Sequence, residues 1–294
     1  MDDCNRLART EERYFSALMQ GEPDLARSII SQALIFGASR SDIYLRILAT
    51  TQIRIGELWH KGVINVAQEH LATTITMDVM DFLRNGMDPS QNLGFRAVVT
   101  PVEDDQHFIG ARMVADFLTM DGWDVDFLGG GTPAADLAEF VRSRDTDLLA
   151  LSASLPDLLP NVVAVTEAIR KLHPHKPRIL LGGNALNHAE HYPNRLGCDA
   201  IAFDIPDAVI EARRLVGLTG YKLTLDEQLA LLGRKVNAAR TSRKMTQQEL
   251  ADASGLDRTY ISLIENGRQN LTVDATLKIA NALDVSASDL LAQS

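Results

Sequence analysis

Three acids and a histidine lie in "PVEDDQHFIG" (101–110), between a valine-rich stretch at 96–100 and an apolar-periodic stretch at 108–120. Asp105, His107 and Gly110 form the spacing D-x-H-x-x-G. A carboxylate two residues before an imidazole can accept one ring N–H. That fixes the tautomer and leaves the second ring nitrogen as a base or metal ligand. A glycine three residues later leaves space for a group to approach the backbone. A loop histidine bonded to a nearby carbonyl would carry the same residues, so partners elsewhere in the chain decide between the two.

Those partners exist. Ser152 and Ser154 stand in "SAS", and Gly182 and Gly183 form a Gly-Gly pair. D-x-H-x-x-G followed by a serine motif and then G-G resembles the cobalamin-binding signature of methionine synthase and the corrinoid-dependent mutases. In that signature the serine motif is S-x-L, whereas Ser154 occupies the leucine place here. The resemblance implies cobalamin as cofactor, with His107 as lower cobalt ligand. Imidazole suits a borderline transition metal. It further implies that Asp105 orients the ring, that Ser152 bonds the buried nucleotide tail with Ser154 as a nearby alternative, and that Gly110, Gly182 and Gly183 admit that tail to the backbone.

A second group lies upstream. "GELWHKGVINVAQEH" (56–70) holds Trp59, His60, Glu69 and His70 in the spacing W-x9-E-H. A bundle helix with an aromatic anchor and a solvated acid would read the same way. Ahead of a cobalamin signature it is similar to the helical cap of CarH-type photoreceptor regulators, which bind adenosylcobalamin. That resemblance implies Trp59 packing on the adenosyl group, Glu69 bonding its ribose or adenine, and His70 organising the same wall. It also implies His60 as upper cobalt ligand once the adenosyl group is gone.

A third group closes the chain. "MTQQELADASGLDRTYISLIENGR" (245–268) resembles the Xre/Cro helix-turn-helix family, and the likeness extends over nearly all of 228–291. A glycine turn joins two short amphipathic helices, the second with a polar leading edge, which suits the major groove. The resemblance implies operator DNA as partner and Gln247 on a phosphate. Arg258 and Thr259 would meet base edges, Tyr260 and Ser262 sugar or phosphate, and Asn266 and Arg268 the backbone. Arg240, Arg243 and Lys244 are expected to add unspecific attraction. A protein-interaction domain of the same fold is the alternative. One such module binds weakly, so a homodimer or homotetramer is expected.

The elements that must position these residues follow from periodicity. Residues 1–90 contain helical spacing at 8–19, 24–36, 41–59 and 65–83, ended by glycines, and predict a four-helix bundle cap. Residues 91–218 alternate strands (96–100, 124–128, 147–152, 178–182, 199–203) with helices (108–120, 134–143, 158–172, 185–191, 206–216). This predicts a flavodoxin-like α/β domain with strand order 2-1-3-4-5, whose ligands bind outside the carboxyl ends of the strands. The D-x-H-x-x-G loop falls at that edge. Residues 223–294 predict an all-α domain with helices at 225–241, 246–254, 257–266, 273–283 and 286–292.

Composition agrees. An apolar share of 46% and a charged share of 23% are those of a soluble globular protein. No apolar run reaches membrane-span length, and the N-terminus lacks a secretory pattern, so a cytoplasmic protein without membrane contact is expected. Cys4 and Cys198 lack metal-site spacing and read as reduced thiols. His173, His175, His188 and His191 read as surface residues. Residues 222–294 carry nine basic and nine acidic side chains, so the net charge of −10 belongs to the first 221 residues and does not argue against DNA at the C-terminus. No catalytic acid–base pair or phosphate loop is found, so an enzyme is not expected. The function expected is an adenosylcobalamin-dependent, light-responsive transcriptional regulator. A corrinoid carrier for methyl transfer and a light-independent cobalamin-level sensor are the alternatives.

Overall fold

A computed structural model describes residues 3–85, 92–172, 176–188, 196–218, 225–267 and 269–291. The chain forms two compact units, Met1–Leu218 and Thr219–Ser294.

The first unit opens with the cap: α1 (Asp3–Gln20), α2 (Pro23–Ile35), α3 (Arg40–Ile43), a π-helical turn (Tyr44–Leu48), α4 (Ala49–His60) and α5 (Val66–Asn85). The third rod expected at 41–59 is therefore continuous but not uniform. Its π-helical turn widens the spiral so that the N–H of Ala49 bonds the carbonyl of Tyr44. Proline at the start of α2 and Ser39, whose hydroxyl accepts from the Asp42 N–H at 3.0 Å, set two of the helix starts.

Then come β1 (Arg96–Pro101), α6 (Ile109–Asp121), β2 (Asp124–Phe127), α7 (Ala134–Ser143), β3 (Leu148–Ser152), a 3-10 turn (Pro156–Leu158) and α8 (Leu159–Arg170). They are followed by β4 (Arg178–Gly182), α9 (Ala185–His188), β5 (Ala200–Ile201) and α10 (Ile205–Leu215). The strands are parallel in the order β2-β1-β3-β4-β5, as the alternation predicts. Two apolar cores flank the sheet. One, with Leu149, Val162 and Leu181, lies under α7 and α8. The other runs without a break from Tyr14, Ile30 and Met80 of the cap through Leu118 of α6 to Val99 and Ala150 of the sheet. Cap and sheet thus share one core.

The second unit holds α11 (Leu225–Ser242), α12 (Gln247–Ser254), α13 (Arg258–Glu265), α14 (Val273–Ala282) and α15 (Ala287–Leu291) around Val236, Leu250, Ile261, Ile264 and Ile279. A reciprocal capping box between Thr246 and Glu249 starts α12, and Asp257 caps α13. Among the described residues no helix is long and apolar enough to cross a membrane.

Candidate functional site

Strand register brings the first motif group together. Pro101 of β1 pairs with Ser152 of β3, and Ser152 pairs with Gly182 of β4. Three segments far apart in sequence therefore end in one row at the carboxyl edge of the sheet. The loop leaving β1 turns sharply at Asp104, whose φ of +68° is left-handed, and presents Asp105 and His107 above that row. Asn161 of α8 ties the loop down through a 2.7 Å bond to the Glu103 carbonyl.

Asp105 is fully buried and saturated. Its Oδ1 accepts from the His107 N–H at 3.0 Å and the Ser154 hydroxyl at 2.6 Å, and its Oδ2 accepts from the Ser154 N–H at 2.7 Å. The His107 Nδ1 lies 3.2 Å from Asp105 Oδ1 and 3.0 Å from Ser154 Oγ. With the Ser154 hydroxyl donating to the carboxylate, its oxygen accepts, so Nδ1 carries the proton and Nε2 carries the lone pair. The ring is 52% exposed. Burial pushes the Asp105 carboxyl up, but the hydrogen bonds from His107 and Ser154 outweigh it and hold the group below its ordinary value. The bond to Asp105 raises His107 against the effect of its partial burial, and the charges of Asp105 and Glu69 add to that.

Ser154 is thus placed differently from the expectation. It bonds the aspartate and the histidine, because the turn after β3 aims its hydroxyl back at the loop after β1. Ser152 ends β3, half-buried, in the expected row.

The glycines divide. A Cβ on Gly110 would meet no protein atom within 4 Å, so the fold itself leaves space there. A Cβ on Gly182 would make ordinary contact, 3.5 Å from the Ala202 carbonyl oxygen. Gly183 is different: φ is +110°, and a Cβ would stand 2.2 Å from the Ala153 carbonyl oxygen. The protein's own backbone requires glycine there, whether or not a ligand lies beside it. The sequence reading passed over Gly130, in the run Gly129–Gly131 after β2. Its Cβ would meet the Asp105 carbonyl oxygen at 2.7 Å, so this loop crosses the histidine loop backbone to backbone. The only sequence signal was the triple glycine itself.

The cap contributes a corner. α4 ends at His60 and α5 begins at Val66, with Asn65 and Gln68 bonding reciprocally at 3.0 Å. Trp59 is half-buried against the cap core, and its ring stacks obliquely on exposed His60, 4.8 Å between centroids. Glu69, in the first turn of α5, is the cap carboxylate whose charge reaches His107. Its Oε1 accepts from the Thr73 hydroxyl at 2.8 Å, and its Oε2 is 3.5 Å from Nε2 of the outward-facing His70.

In the second unit a shallow cleft of about 190 Å³ is lined by Gln247, Arg258, Thr259 and Ser262, four of the expected DNA-contacting residues. Thr259 is fixed by its N–H to Asp257 at 2.7 Å. The Gln247 amide also donates to Glu265 at 2.9 Å, leaving its second N–H for another acceptor. Tyr260 is half-buried and its hydroxyl reaches the Asn270 carbonyl at 3.5 Å. Asn266 ends α13 with its side chain on the Ser262 carbonyl. Arg268 lies outside the described residues, as do His173, His175 and His191.

Arg240 corrects its reading as a source of unspecific attraction. It donates to Glu265 at 2.6 Å and to the Met245 carbonyl at 2.6 Å, and it is 11% exposed against 3% for Glu265. Arg243 is paired with Asp284 at 3.2 Å.

Comparison with known proteins assigns these parts. A family model described as a B12 binding domain matches residues 95–213, and a second B12 binding domain model matches 10–84. A helix-turn-helix model matches 236–290. Dimethylamine corrinoid protein 1 of Methanosarcina acetivorans is 24% identical over 179 residues, 60% of this chain and 83% of that protein. Control protein C.BamHI of Bacillus amyloliquefaciens is 47% identical over 62 residues, 21% of this chain and 76% of that protein. Among solved structures, the monomethylamine corrinoid protein of Methanosarcina barkeri aligns with a TM-score of 0.62 at 18% identity, over 71% of this chain and 99% of that one, which establishes a shared fold.

Proposed function

We propose, for a chain that carries B12-binding domains, belongs in its C-terminal part to the helix-turn-helix family and is a cobalamin-binding transcription regulator, that the cofactor is adenosylcobalamin and the signal is light. The observation that carries this reading is the relation of cap to loop. Trp59 of the α4–α5 corner and Ile109, two residues after His107, pack against the one apolar cluster that cap and sheet share, and the charge of Glu69 adds to the rise in His107 proton affinity. This supports reading the α4–α5 corner with Trp59, His60, Glu69 and His70 as part of the same site as the D-x-H-x-x-G loop.

The residues fit the group. His107 offers Nε2 with its tautomer fixed by Asp105 and Ser154, and a Cβ at Gly110 would meet no neighbouring side chain within 4 Å. His107 would hold the lower face of cobalt. Asp105 and Ser154 would keep the ring in place, and Ser152, Gly110 and Gly182 would border the nucleotide tail. Trp59 would pack against the adenosyl group, Glu69 would bond its ribose or adenine, and His70 would organise the same wall. His60 is proposed as an alternative upper ligand. When bound, the cofactor supplies a cobalt–carbon bond that visible light breaks. The contacts of Trp59 and Glu69 would then differ between two states, as a ligand switch requires.

The output is operator DNA. Arg258 and Thr259 would read bases, Gln247 would hold a phosphate, and the active form would be a homodimer or homotetramer on a two-part site in the cytoplasm. The protein would regulate and not turn over a substrate.

The test is the absorption spectrum of protein loaded with adenosylcobalamin in the dark and after green light, with operator affinity measured on the same samples. Expected are a stable dark alkyl-cobalamin spectrum, its conversion by light, and a changed affinity. DNA binding that follows cofactor addition but ignores light would overturn photosensing in favour of a cobalamin-level sensor. A carrier of methyl groups is the second reading, favoured by the likeness of the first two parts to methylamine corrinoid proteins. Methyl transfer from bound methylcobalamin to an acceptor, with no operator binding, would establish it.

A further inference from the structure

A polar chain crosses the shared core between the cap and α6. Tyr44, fully buried in the π-helical turn, donates its hydroxyl to Asp116 Oδ2 at 2.8 Å. Asp116 is buried as well, and its Oδ1 accepts from Arg112 Nε at 3.1 Å. Arg112 Nη2 donates to Asp81 Oδ1 of α5 at 2.7 Å, and its guanidinium stands 5.4 Å from the Phe127 ring. Asp81, half-exposed, also accepts from Arg84 at 3.3 Å. Two of the four side chains come from the cap and two from α6. Around them the contact is apolar, including an edge-on meeting of Tyr44 and Phe117 at 5.6 Å.

Such a chain is a poor adhesive. Desolvating a carboxylate and a guanidinium costs about what their attraction returns, and apolar side chains of the same size would hold as well. What a saturated polar chain does is select one arrangement, because any displacement leaves a buried charge unpaired. Its Asp81 end reaches solvent, so water has a path to replace the contacts when the cap lifts. The helix carrying Arg112 and Asp116 begins at Ile109, two residues after His107.

We propose that Tyr44, Asp116, Arg112 and Asp81 form a latch that holds the cap in one seat on the sheet domain, and that α6 couples this seat to the His107 loop. That the seat covers a cofactor rests on the function proposed above. The latch itself does not.

The test is hydrogen exchange of the full chain, without cofactor, in Tyr44→Phe and Asp81→Asn variants and their combination. Tyr44→Phe removes one hydroxyl, and Asp81→Asn alters the half-exposed end, so at least one variant keeps the fold. Expected is exchange about tenfold faster in α5 and the π-helical turn, with β1, β3 and β4 unchanged. An equal increase in the strands would mean general loss of stability and would overturn the latch, as would no increase anywhere. A second readout uses protein loaded with aquocobalamin. Cyanide should displace the upper ligand about tenfold faster in the variants than in the parent. Equal rates would overturn coupling of the latch to the cofactor face. Failure to bind any cobalamin would sink the proposed function and leave the exchange result to decide the latch.

Discussion

Ser154 donates to Asp105 twice, from its backbone N–H to Oδ2 at 2.7 Å and from its hydroxyl to Oδ1 at 2.6 Å. The backbone bond survives any side chain, and the hydroxyl bond does not. Ser154→Leu, which restores the leucine of the resembling signature, removes the hydroxyl that also lies 3.0 Å from His107 Nδ1. Partners that orient a metal-binding imidazole are worth about 10- to 100-fold in affinity. The expected result is cobalamin binding weakened by about tenfold, with less histidine on cobalt. Titration and the nitrogen hyperfine splitting of the reduced cofactor measure the two effects. Ser154→Thr should keep both, and a Leu variant indistinguishable from the parent would refute the relay.

Gly110 and Gly183 should respond in opposite ways to alanine. At Gly110, in the first turn of α6, the added methyl meets nothing, and alanine gains about 0.5–1 kcal/mol of helix stability. At Gly183 it meets the Ala153 carbonyl in a left-handed backbone, at a cost of about 3 kcal/mol or more. Gly110→Ala should therefore melt at or above the parent temperature yet bind cobalamin poorly, whereas Gly183→Ala should fail in stability first. Thermal melts with and without cofactor separate the two.

Trp59→Ala should discriminate between cofactors. Removing the aromatic wall should weaken adenosylcobalamin by about tenfold, a loss of about 1.4 kcal/mol, and leave methylcobalamin nearly unchanged. Paired titrations decide it, and equal losses for both would remove Trp59 from the adenosyl pocket.

Glu265 makes the second unit sensitive to acid in a definite window. Burial pushes its carboxyl up, but the bonds from Arg240, Gln247 and Asn237 together hold it below the ordinary value of 4.5. A depressed carboxylate contributes stability that is fully present above the unfolded-chain value and is lost as pH falls through the lower folded value. Glu265→Gln should cost about 3 kcal/mol at neutral pH, because Arg240 is left as a buried unpaired charge. The variant should also show a flatter stability profile below the ordinary carboxylate range. Urea melts of the full chain across that range, followed by exchange in α11 and α13, give the comparison.

Arg258→Ala should relax sequence preference, while a change at exposed Lys244 should lower affinity for all sequences alike. A lost base contact is worth about 1–3 kcal/mol on the operator alone. A lost phosphate contact shifts the salt dependence. Fluorescence anisotropy on operator and scrambled DNA at several salt concentrations tells them apart.

Much of this was legible in the chain. Valine- and leucine-rich runs spaced by amphipathic helices announce a parallel sheet, and the same spacing puts Asp105, Ser152 and Gly182 at one edge. The register that aligns Pro101, Ser152 and Gly182 in a single row comes from the structure and not from that alternation. What stayed hidden depends on turns and close approaches. Nothing in "SAS" says that Ser154 faces backwards to the aspartate. Helical periodicity over 41–59 cannot show that Tyr44–Leu48 is wound with one residue more per hydrogen bond. Arg240 looked like a free cation because its partner Glu265 lies 25 residues away and meets it only once α11 and α13 cross. They cross closely because Gly233 has no side chain: a Cβ there would stand 2.3 Å from the Ile264 carbonyl oxygen.

The crossing of Gly130 over the Asp105 carbonyl has a consequence for how this protein can change over generations. Two loops that follow different strands are in backbone contact, so no side chain fits at position 130 unless the loop after β1 gives way. A side chain at position 130 would then have to arrive together with a compensating change in the loop after β1.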